Sequence, residues 1–439
     1  MSRRKRILFA ISDTGGGHRS GAAALHAALL QHPDAHGLEY STIDLITSTG
    51  LPLLRNAPGL YDSLSTRWLP LWDLLYQLTN GRRRVDTISE IAYLSAQRNI
   101  RRAIDAFKPD LVVSVHPLAN RFIGHARRTF NMQFRFITVV TDLVSLHTAW
   151  GDLDADLCVA PTQEGADVLL KQGMPYDKVV YAGFPVHPKF TACTLTDRES
   201  RGLLAVDVDR FTVLLTAGGV GSGRLRELVV ALHTAHPDMQ LFVVTGRNAA
   251  LRTELQRLNM PAHVHIYGFV DNMEQLMAAS DVVVTKAGPG TLMEALVMRR
   301  PVVITEAVGM QEQGNIAFVV DRGLGAYSKR IPEIVAAVTA LRDPAVHTAT
   351  IARLADAVPR DGAKRIADII LAQLVLDPPI TSKRTFMPTV PHWLRRREAN
   401  SDGTPRRVRL LNLDVLERLR RHGGLSVSWS RRARRKNRK

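Results

Sequence analysis

The sequence predicts an α/β protein with two Rossmann-like domains that face a central cleft, followed by a basic C-terminal extension. Short strands rich in valine and isoleucine alternate with helix-length segments, as in parallel sheets covered by helices. These strands fall into two runs, separated by a polar linker at 191–209. The chain has 439 residues, 45% of them hydrophobic, which is enough for two ordinary domains.

The first domain, at 1–190, has six predicted strands: Arg6–Ser12, Leu38–Asp44, Asp110–His116, Phe134–Thr141, Asp156–Ala160 and Val179–Gly183. The second domain, at 210–375, has five: Phe211–Ala217, Gln240–Gly246, His263–Gly268, Asp281–Thr285 and Pro301–Thr305. Ligands of open α/β sheets bind beyond the carboxyl ends of the strands. Both domains are therefore expected to contribute loops to the cleft.

A strand–turn–helix motif in the second domain predicts an anion site. The strand Asp281–Thr285 leads into a glycine-rich turn that contains Gly288 and Gly290, and a helix follows with Thr291 as its expected cap. Amide groups at a helix N-terminus attract phosphate, and Glu294 could accept hydrogen bonds from sugar hydroxyls. A turn that serves only the packing of an αβ crossover is the alternative.

The next predicted strand ends in a polar loop with three candidate sugar ligands: Gln311, Glu312 and Asn315. A phosphate cradle followed by a loop that binds hydroxyls matches the two halves of a nucleotide-sugar. A second cradle is predicted after the strand Phe211–Ala217, and its candidate residues are Gly218, Gly219, Ser222 and Arg224.

A third glycine-rich loop follows the first strand, where Gly15, Gly16 and Gly17 precede His18. These glycines allow close approach of the backbone to another molecule. The loop lacks a complete dinucleotide-binding pattern because Ser20 occupies the position of the last glycine. Since imidazole titrates near neutral pH, His18 is a candidate general base, with a structural histidine as the alternative.

Several of these segments together resemble one family, the monogalactosyldiacylglycerol synthases and processive diacylglycerol glycosyltransferases. The segments are SDTGGGHR at 12–19, SVHP at 114–117, TVVTDL at 138–143, HTAW at 147–150, GFPVHP at 183–188 and GFVDNME at 268–274. The family is of the GT-B type and is related more distantly to the lipid-II-forming enzyme of peptidoglycan synthesis. The resemblance covers most of residues 6–326 and excludes the tail.

The resemblance implies inverting transfer of a hexose from a UDP-sugar to diacylglycerol. It implies that His18 is the base, with Asp142 and His116 as candidates to orient or replace it. It also implies that the segment from Phe269 to Met273 holds the uracil ring. By the same analogy, Glu294 binds the ribose, and Gln311 with Glu312 binds the hexose.

Two departures from the family pattern leave the choice between galactose and glucose open. Gly309-Met310 stands where close relatives carry Pro-Gly, and His187 stands where an arginine is common. An acceptor such as a polyprenyl-linked lipid is the alternative within enzymes. A non-catalytic nucleotide or nucleic-acid binding protein that acts through its basic tail is the alternative outside them.

No cofactor and no metal are expected. The alternating carboxylates Asp152, Asp154 and Asp156 resemble the start of a calcium loop, but Leu157 occupies the position of its glycine and Gln163 that of its final glutamate. The only cysteines, Cys158 and Cys193, indicate a reducing compartment.

Two segments predict contact with a membrane. The region from Leu51 to Arg84 combines leucines with a set of aromatic and basic residues: Trp68, Trp72, Tyr76, Arg82, Arg83 and Arg84. An amphipathic helix packed on the first sheet is the alternative. No apolar run reaches the roughly 18 residues that a span requires, so the expected location is cytoplasmic, peripheral on the inner face of the cell membrane.

The tail, 376–439, is the second such segment. Residues 391–439 carry 16 Lys or Arg and 4 Asp or Glu, and so supply +12 of the net charge of +17. Each basic residue near an anionic bilayer contributes about 1 kcal/mol of attraction. A solvated disordered tail is the alternative, and no specific nucleic acid is expected because no recognised nucleic-acid module is present.

Overall fold

A computed structural model of the protein describes residues 3–12, 16–51, 59, 68–216 and 224–379. Its core consists of two six-stranded sheets in which every pairing of strands is parallel. The predicted fold class, two Rossmann-like domains, is confirmed.

The first sheet has the strand order β2-β1-β3-β4-β5-β6. Its strands are β1 Arg6–Ile11, β2 Glu39–Asp44, β3 Leu111–Ser114, β4 Arg135–Val139, β5 Leu157–Ala160 and β6 Val179–Tyr181. All six lie within the predicted segments. β1, β3 and β5 are almost wholly buried, as expected of strands covered by helices on both faces.

The second sheet has the order β12-β11-β10-β7-β8-β9. Its strands are β7 Thr212–Thr216, β8 Gln240–Val244, β9 Val264–Tyr267, β10 Val282–Thr285, β11 Val302–Ile304 and β12 Gly325–Tyr327. Only the edge strand β12 escaped prediction, because it is three residues long and contains no β-branched residue. A side chain in place of Gly325 would overlap the carbonyl oxygen of Val302, so a glycine is required at this pairing.

Fifteen α-helices connect and cover the strands within the described ranges. They are α1 Gly16–Leu30, α2 Leu69–Thr79, α3 Arg82–Phe107, α4 Pro117–Phe130, α5 Gln163–Lys171, α6 Pro188–Ala192, α7 Asp197–Leu203, α8 Leu225–Ala235, α9 Ala249–Gln256, α10 Met273–Ala278, α11 Pro289–Val297, α12 Gln313–Val320, α13 Ile331–Leu341, α14 Pro344–Ala357 and α15 Gly362–Leu374. The predicted cap at Thr291 is wrong. Helix α11 starts two residues earlier because Pro289 has a backbone preorganised for the first helical position, and Gly288 is the N-cap.

The last helix, α15, packs against the first sheet although it lies within the range predicted for the second domain. Its apolar side, which includes Ile366 and Ile370, is buried with Phe9, Val113 and Ile137 of the first domain. The imidazole of His32 lies 3.0 Å from the carboxylate of Asp368. The sequence could not reveal this crossing because an amphipathic helix fits the apolar face of either sheet.

Candidate functional site

The strand orders place two crevices opposite each other. In the first sheet, β1 and β3 are neighbours whose connections leave on opposite sides, and β7 and β10 have the same relation in the second sheet. Ligands of such sheets bind at these switch points, beyond the carboxyl ends of the strands. Helix α1 follows β1, and α11 follows β10, so both helices direct their N-termini at the cleft. Their first turns come close together, since a side chain at Gly290 would lie 3.7 Å from Ser20 Oγ.

Two predicted catalytic histidines meet at the first switch point. His18 lies in the first turn of α1, and His116 follows β3. Their ring centroids are 4.7 Å apart in an edge-to-face arrangement. Nδ1 of His18 lies 2.9 Å from Thr141 Oγ1.

Burial favours the neutral form of both imidazoles. It lowers the pKa of His18, and the negative charge of Asp142 partly opposes this effect. Burial also holds the pKa of His116 well below 6.5, and the neighbouring His18 lowers it further. A neutral imidazole beside a carboxylate can accept a proton and then be stabilised as imidazolium.

The carboxylate of Asp142 is fixed from both sides of the cleft. It is only 6% exposed. Its Oδ2 accepts a hydrogen bond from Trp150 Nε1 at 2.8 Å, and its Oδ1 accepts one from Gln311 Nε2 of the second domain at 3.3 Å. The predicted base and the predicted hexose ligand therefore belong to one polar network that spans the cleft.

Beside this network lies a cavity of about 260 Å³, formed by both domains and the segment that joins them. Five residues predicted to bind the donor line it: Phe269, Met273, Gly290, Thr291 and Glu294. Phe269 is 60% exposed and stacks under the guanidinium of Arg247 at 5.2 Å, so a flat apolar surface is presented at the cavity.

Glu294 is the acidic residue of this cavity. Burial raises its pKa to about 7, and the positive charge of Lys189 opposes this rise. Lys189 forms an ion pair with Glu274 at 2.7 Å and donates to the carbonyl of Asp271 at 2.6 Å. A carboxyl group that titrates near neutral pH can accept a hydrogen bond from a bound hydroxyl when it is ionised, and donate one to it when it is protonated.

The sequence prediction missed the contribution of the segment that follows β6 at the end of the first domain. Phe184, Pro185, Val186, His187, Lys189 and Phe190 line the cavity together with Ser20 and Ala23 of α1. The available signal was the string GFPVHP, which follows β6 at the carboxyl edge of the sheet. His187 caps α6 by accepting from the amide of Lys189 at 3.2 Å.

Of the predicted donor ligands that the structure describes, five do not line the cavity: Arg224, Gly288, Gln311, Glu312 and Asn315. Two of them, Glu312 and Asn315, instead hold the neighbouring loop. Glu312 accepts from the amide of Val308 at 2.8 Å, and Asn315 donates to the carbonyl of Ala287 at 2.8 Å. Both side chains are buried. Gly288 is the N-cap of α11, and a side chain at this position would lie 3.3 Å from Lys286 Cε. Glu312 and Asn315 therefore hold Gln311 in place, and their direct contact with a sugar stays a prediction.

The glycine loops are only partly described. Gly15, Gly218, Gly219 and Ser222 lie outside the described residues. Gly16 and Gly17 form the start of α1. Arg224 precedes α8 and donates to the carbonyl of Lys329 at 2.6 Å.

The predicted membrane-contact residues of α2 divide between two sides of the helix. No residue of α2 is buried, and its outer side exposes Trp68, Leu71, Leu74, Leu75 and Leu78. Trp72 and Tyr76 point the other way, and Tyr76 donates to the carbonyl of Ser145 at 3.3 Å. Leu71, Leu74, Leu75 and Leu78 have the i, i+3, i+4, i+7 spacing of one helix face, which was the available signal for the two sides. Of the basic cluster at the start of α3, Arg83 and Arg84 are exposed, whereas Arg82 donates to the carbonyl of Gln172 at 2.9 Å.

Within the described part of the chain, no helix combines the length and apolar character that a membrane span requires. Among the same residues, no group of three or more His, Cys, Asp or Glu side chains is arranged to hold a metal ion.

Comparison with known proteins agrees with this architecture. The family model for monogalactosyldiacylglycerol (MGDG) synthase matches residues 18–186, and that for the glycosyltransferase family 28 C-terminal domain matches residues 212–327. MurG from Acinetobacter baumannii superposes with a TM-score of 0.57 at 16% identity, over 83% of this chain and 99% of that one. The glycotransferase of kitacinnamycin gives 0.58 at 18% identity, over 85% and 100%. These similarities define the class: a two-domain protein with the GT-B fold.

Sequence relatives specify the family. The chloroplastic monogalactosyldiacylglycerol synthase of Spinacia oleracea is 33% identical over 346 residues, which are 76% of this chain and 66% of that protein. Monogalactosyldiacylglycerol synthase 2 of Arabidopsis thaliana is 31% identical over 342 residues, which are 74% and 71%. The chain therefore belongs to the monogalactosyldiacylglycerol synthase family. It spans about two thirds of the length of these curated relatives.

Proposed function

We propose that the protein is an inverting glycosyltransferase that moves galactose or glucose from a UDP-sugar to diacylglycerol, giving a monoglycosyldiacylglycerol. The observation that carries this proposal is the network of His18, Asp142 and Gln311 across the cleft. It brings a buried base, a carboxylate that stabilises its protonated form, and a hydrogen-bonding amide together beside the cavity of about 260 Å³. Membership of the family supports the same reaction.

The donor would lie in the cavity between the domains. Its uracil ring would rest against the apolar surface at Phe269 and Met273, with its ribose hydroxyls at Glu294. The diphosphate would lie where the N-termini of α1 and α11 converge, because unpaired amides and the helix dipole favour anions there. The hexose would then extend toward Gln311 and Asp142.

The proposed reaction is a single displacement. The acceptor hydroxyl oxygen attacks the anomeric carbon on the side opposite the diphosphate, so the configuration inverts. The bond from the anomeric carbon to the diphosphate oxygen breaks, and UDP leaves with its electron pair. His18 takes the hydroxyl proton, and Asp142 stabilises the resulting imidazolium. Lys286 and the two helix N-termini would meet the charge on UDP, so we expect the reaction to need no metal.

The acceptor would be reached from a membrane surface. The outer side of α2 defined above forms an apolar strip, and α3 adds Ile88, Ile91 and Leu94, which are also exposed. Arg83 and Arg84 lie between the two sets in sequence, and basic residues beside apolar ones suit anionic lipid headgroups. We propose peripheral binding to anionic lipids on the inner face of the cell membrane. The basic tail, at 376–439, would add to it; all of it beyond residue 379 lies outside the described residues.

The test is transfer of radiolabelled sugar to diacylglycerol in phosphatidylglycerol-containing liposomes with EDTA, with UDP-galactose and UDP-glucose supplied separately. We expect one donor to give product, and His18→Ala to abolish it. His36→Ala, a substitution of an exposed histidine on the same domain, is the matched control and should keep full activity. UDP binding without transfer from either donor would overturn diacylglycerol as acceptor and point to another lipid. Absence of UDP binding would overturn the donor site itself.

A further inference from the structure

The inner side of α2 touches both domains at the cleft. Toward the first domain, Tyr76 donates to Ser145, and Asn80, directly after the helix, accepts from the amide of Thr148 at 2.9 Å. Toward the second domain, Asp73 and Gln77 contact the turn at Gly309 and Met310. The helix thus lies across the boundary between the domains.

The contact of Asp73 with this turn is specific. Asp73 Oδ1 accepts a hydrogen bond from the amide of Met310 at 2.8 Å, and Gln77 Nε2 donates to Met310 Sδ at 2.9 Å. Gly309 has a φ of +49°, and any side chain there would overlap the Asp73 carboxylate. Only a glycine in this left-handed conformation allows the carboxylate to approach the turn so closely.

The residue held by this turn is Gln311, whose side chain reaches Asp142 in the cleft. On its other flank, Glu312 binds the amide of Val308 within the same loop. This bond lies within the second domain and joins the two ends of the segment 308–312. The bond from Asp73 supplies a restraint from outside that domain, immediately before Gln311.

The opposite side of α2 carries the exposed leucines of the proposed membrane surface. No residue of α2 is buried, and the contacts that hold it on the protein lie on its inner side and at its ends, among them the ring of Tyr76 against that of His147 at 5.0 Å. Its position should consequently depend on what covers its outer side. A short helix is stiff, so a displacement at the outer leucines moves Asp73 as well.

We propose that Asp73 is a positioning residue that couples membrane docking of α2 to the binding of the donor sugar. This inference rests on the proposed function. When a lipid surface seats α2, Asp73 fixes the Gly309-Met310 turn and Gln311 is oriented for the hexose. Without the surface, the turn is held less firmly and the sugar loses part of its contact, whereas the nucleotide cavity is unaffected.

The first test compares the binding of UDP with that of UDP-galactose and UDP-glucose by calorimetry, in the presence of phosphatidylglycerol vesicles without diacylglycerol. For Asp73→Ala we expect UDP to bind as in the wild type, and the UDP-hexose that serves as donor to bind about five- to tenfold more weakly, the effect of one lost hydrogen bond. Asp73→Asn retains an acceptor oxygen and should recover most of the affinity. Glu90→Gln, which removes an exposed carboxylate from α3, is the matched control.

The second test removes the vesicles. Wild-type affinity for the UDP-hexose should fall severalfold while UDP affinity stays constant, and Asp73→Ala should show no such dependence on vesicles. A third measurement uses Gly309→Ala, which displaces the carboxylate. When it is introduced into the wild type, Gly309→Ala should weaken UDP-hexose binding strongly. When it is introduced into Asp73→Ala, the further loss of affinity should be much smaller.

The outcomes separate this inference from the function on which it rests. If the wild type binds neither UDP-hexose, the donor site and the proposed function fail. If the wild type binds one of them but Asp73→Ala binds it equally well, or if vesicles change neither protein, the coupling is overturned and the reaction stands. A parallel loss of UDP binding in Asp73→Ala would also overturn it, because that pattern indicates general damage to the fold.

Discussion

Replacement of Asp142 by asparagine tests whether His18 is the base and Asp142 stabilises its protonated form. The substitution keeps the size of the side chain and removes its charge. Because that charge raises the pKa of His18, we expect the pKa of His18 to fall in Asp142→Asn. His18 acts as a base only when it is neutral, so the acidic limb of the pH profile of kcat/KM should move to lower pH.

The plateau of activity should fall at the same time, because the imidazolium formed in the transition state loses its counter-charge. At an effective dielectric constant of about 20, Coulomb's law gives about 4 kcal/mol for unit charges about 4 Å apart and less at longer range, so about 3 kcal/mol is the size of the expected effect. That corresponds to a loss of roughly 100-fold in kcat. Steady-state transfer to diacylglycerol in liposomes, measured from pH 5 to pH 9 at saturating donor, gives both quantities.

Trp150→Phe separates the charge of Asp142 from its orientation. This variant removes the hydrogen bond from Nε1 to Oδ2 but retains the carboxylate side chain. We expect a smaller loss of kcat, with an unmoved acidic limb. An acidic limb that stays in place in Asp142→Asn, with less than a threefold loss of kcat, would refute the assignment of Asp142 as the partner of His18.

Three further predictions concern other parts of the molecule. Because burial raises the pKa of Glu294 from 4.5 to about 7, its ionisation lowers stability as the pH rises through this interval. Glu294→Gln should therefore increase the free energy of unfolding at pH 8 by at most about 3 kcal/mol and raise Tm there. It should leave Tm at pH 4.5 unchanged and weaken UDP binding in calorimetry. Asn315→Ala leaves the carbonyl of Ala287 without its donor and should cost about 1–3 kcal/mol in urea unfolding; an unchanged midpoint would contradict this contact. The double substitution of Leu74 and Leu78 by aspartate should weaken sedimentation with phosphatidylglycerol liposomes at unaltered Tm, since both side chains are exposed; a lowered Tm would mean that α2 packs on protein instead.

Eleven of the twelve strands in the described part of the chain could be located from the sequence because buried parallel strands are short valine- and isoleucine-rich runs between helices. β12 could not, because Gly325–Tyr327 contains no β-branched residue and so lacks the composition that marked the other short strands. The cap of α11 was misplaced for a related reason. A proline at the first position and a threonine cap both mark a helix start, and here the proline determined it.

The candidate site was predictable where one loop carries the chemistry. His18 after its glycine loop and Glu294 in the first helix after β10 each lie next to a recognisable strand end. The cavity wall between the domains was harder to predict, because Phe184 and Lys189 become part of a site only when the second domain closes against them. The contacts of the inner side of α2 were hard to predict for the same reason, because Ser145 and Met310 belong to different domains.

The sequence by itself determined the two parallel sheets, the glycine loops at the ends of their strands and the family of the protein, because these depend on local patterns of side chains. The tertiary structure alone decided that α15 returns to the first sheet, that Gln311 reaches Asp142 and that Asp73 holds the turn before Gln311. Each of these contacts joins residues more than 150 positions apart. No local pattern encodes such a pairing, because it follows from how the two domains pack against each other.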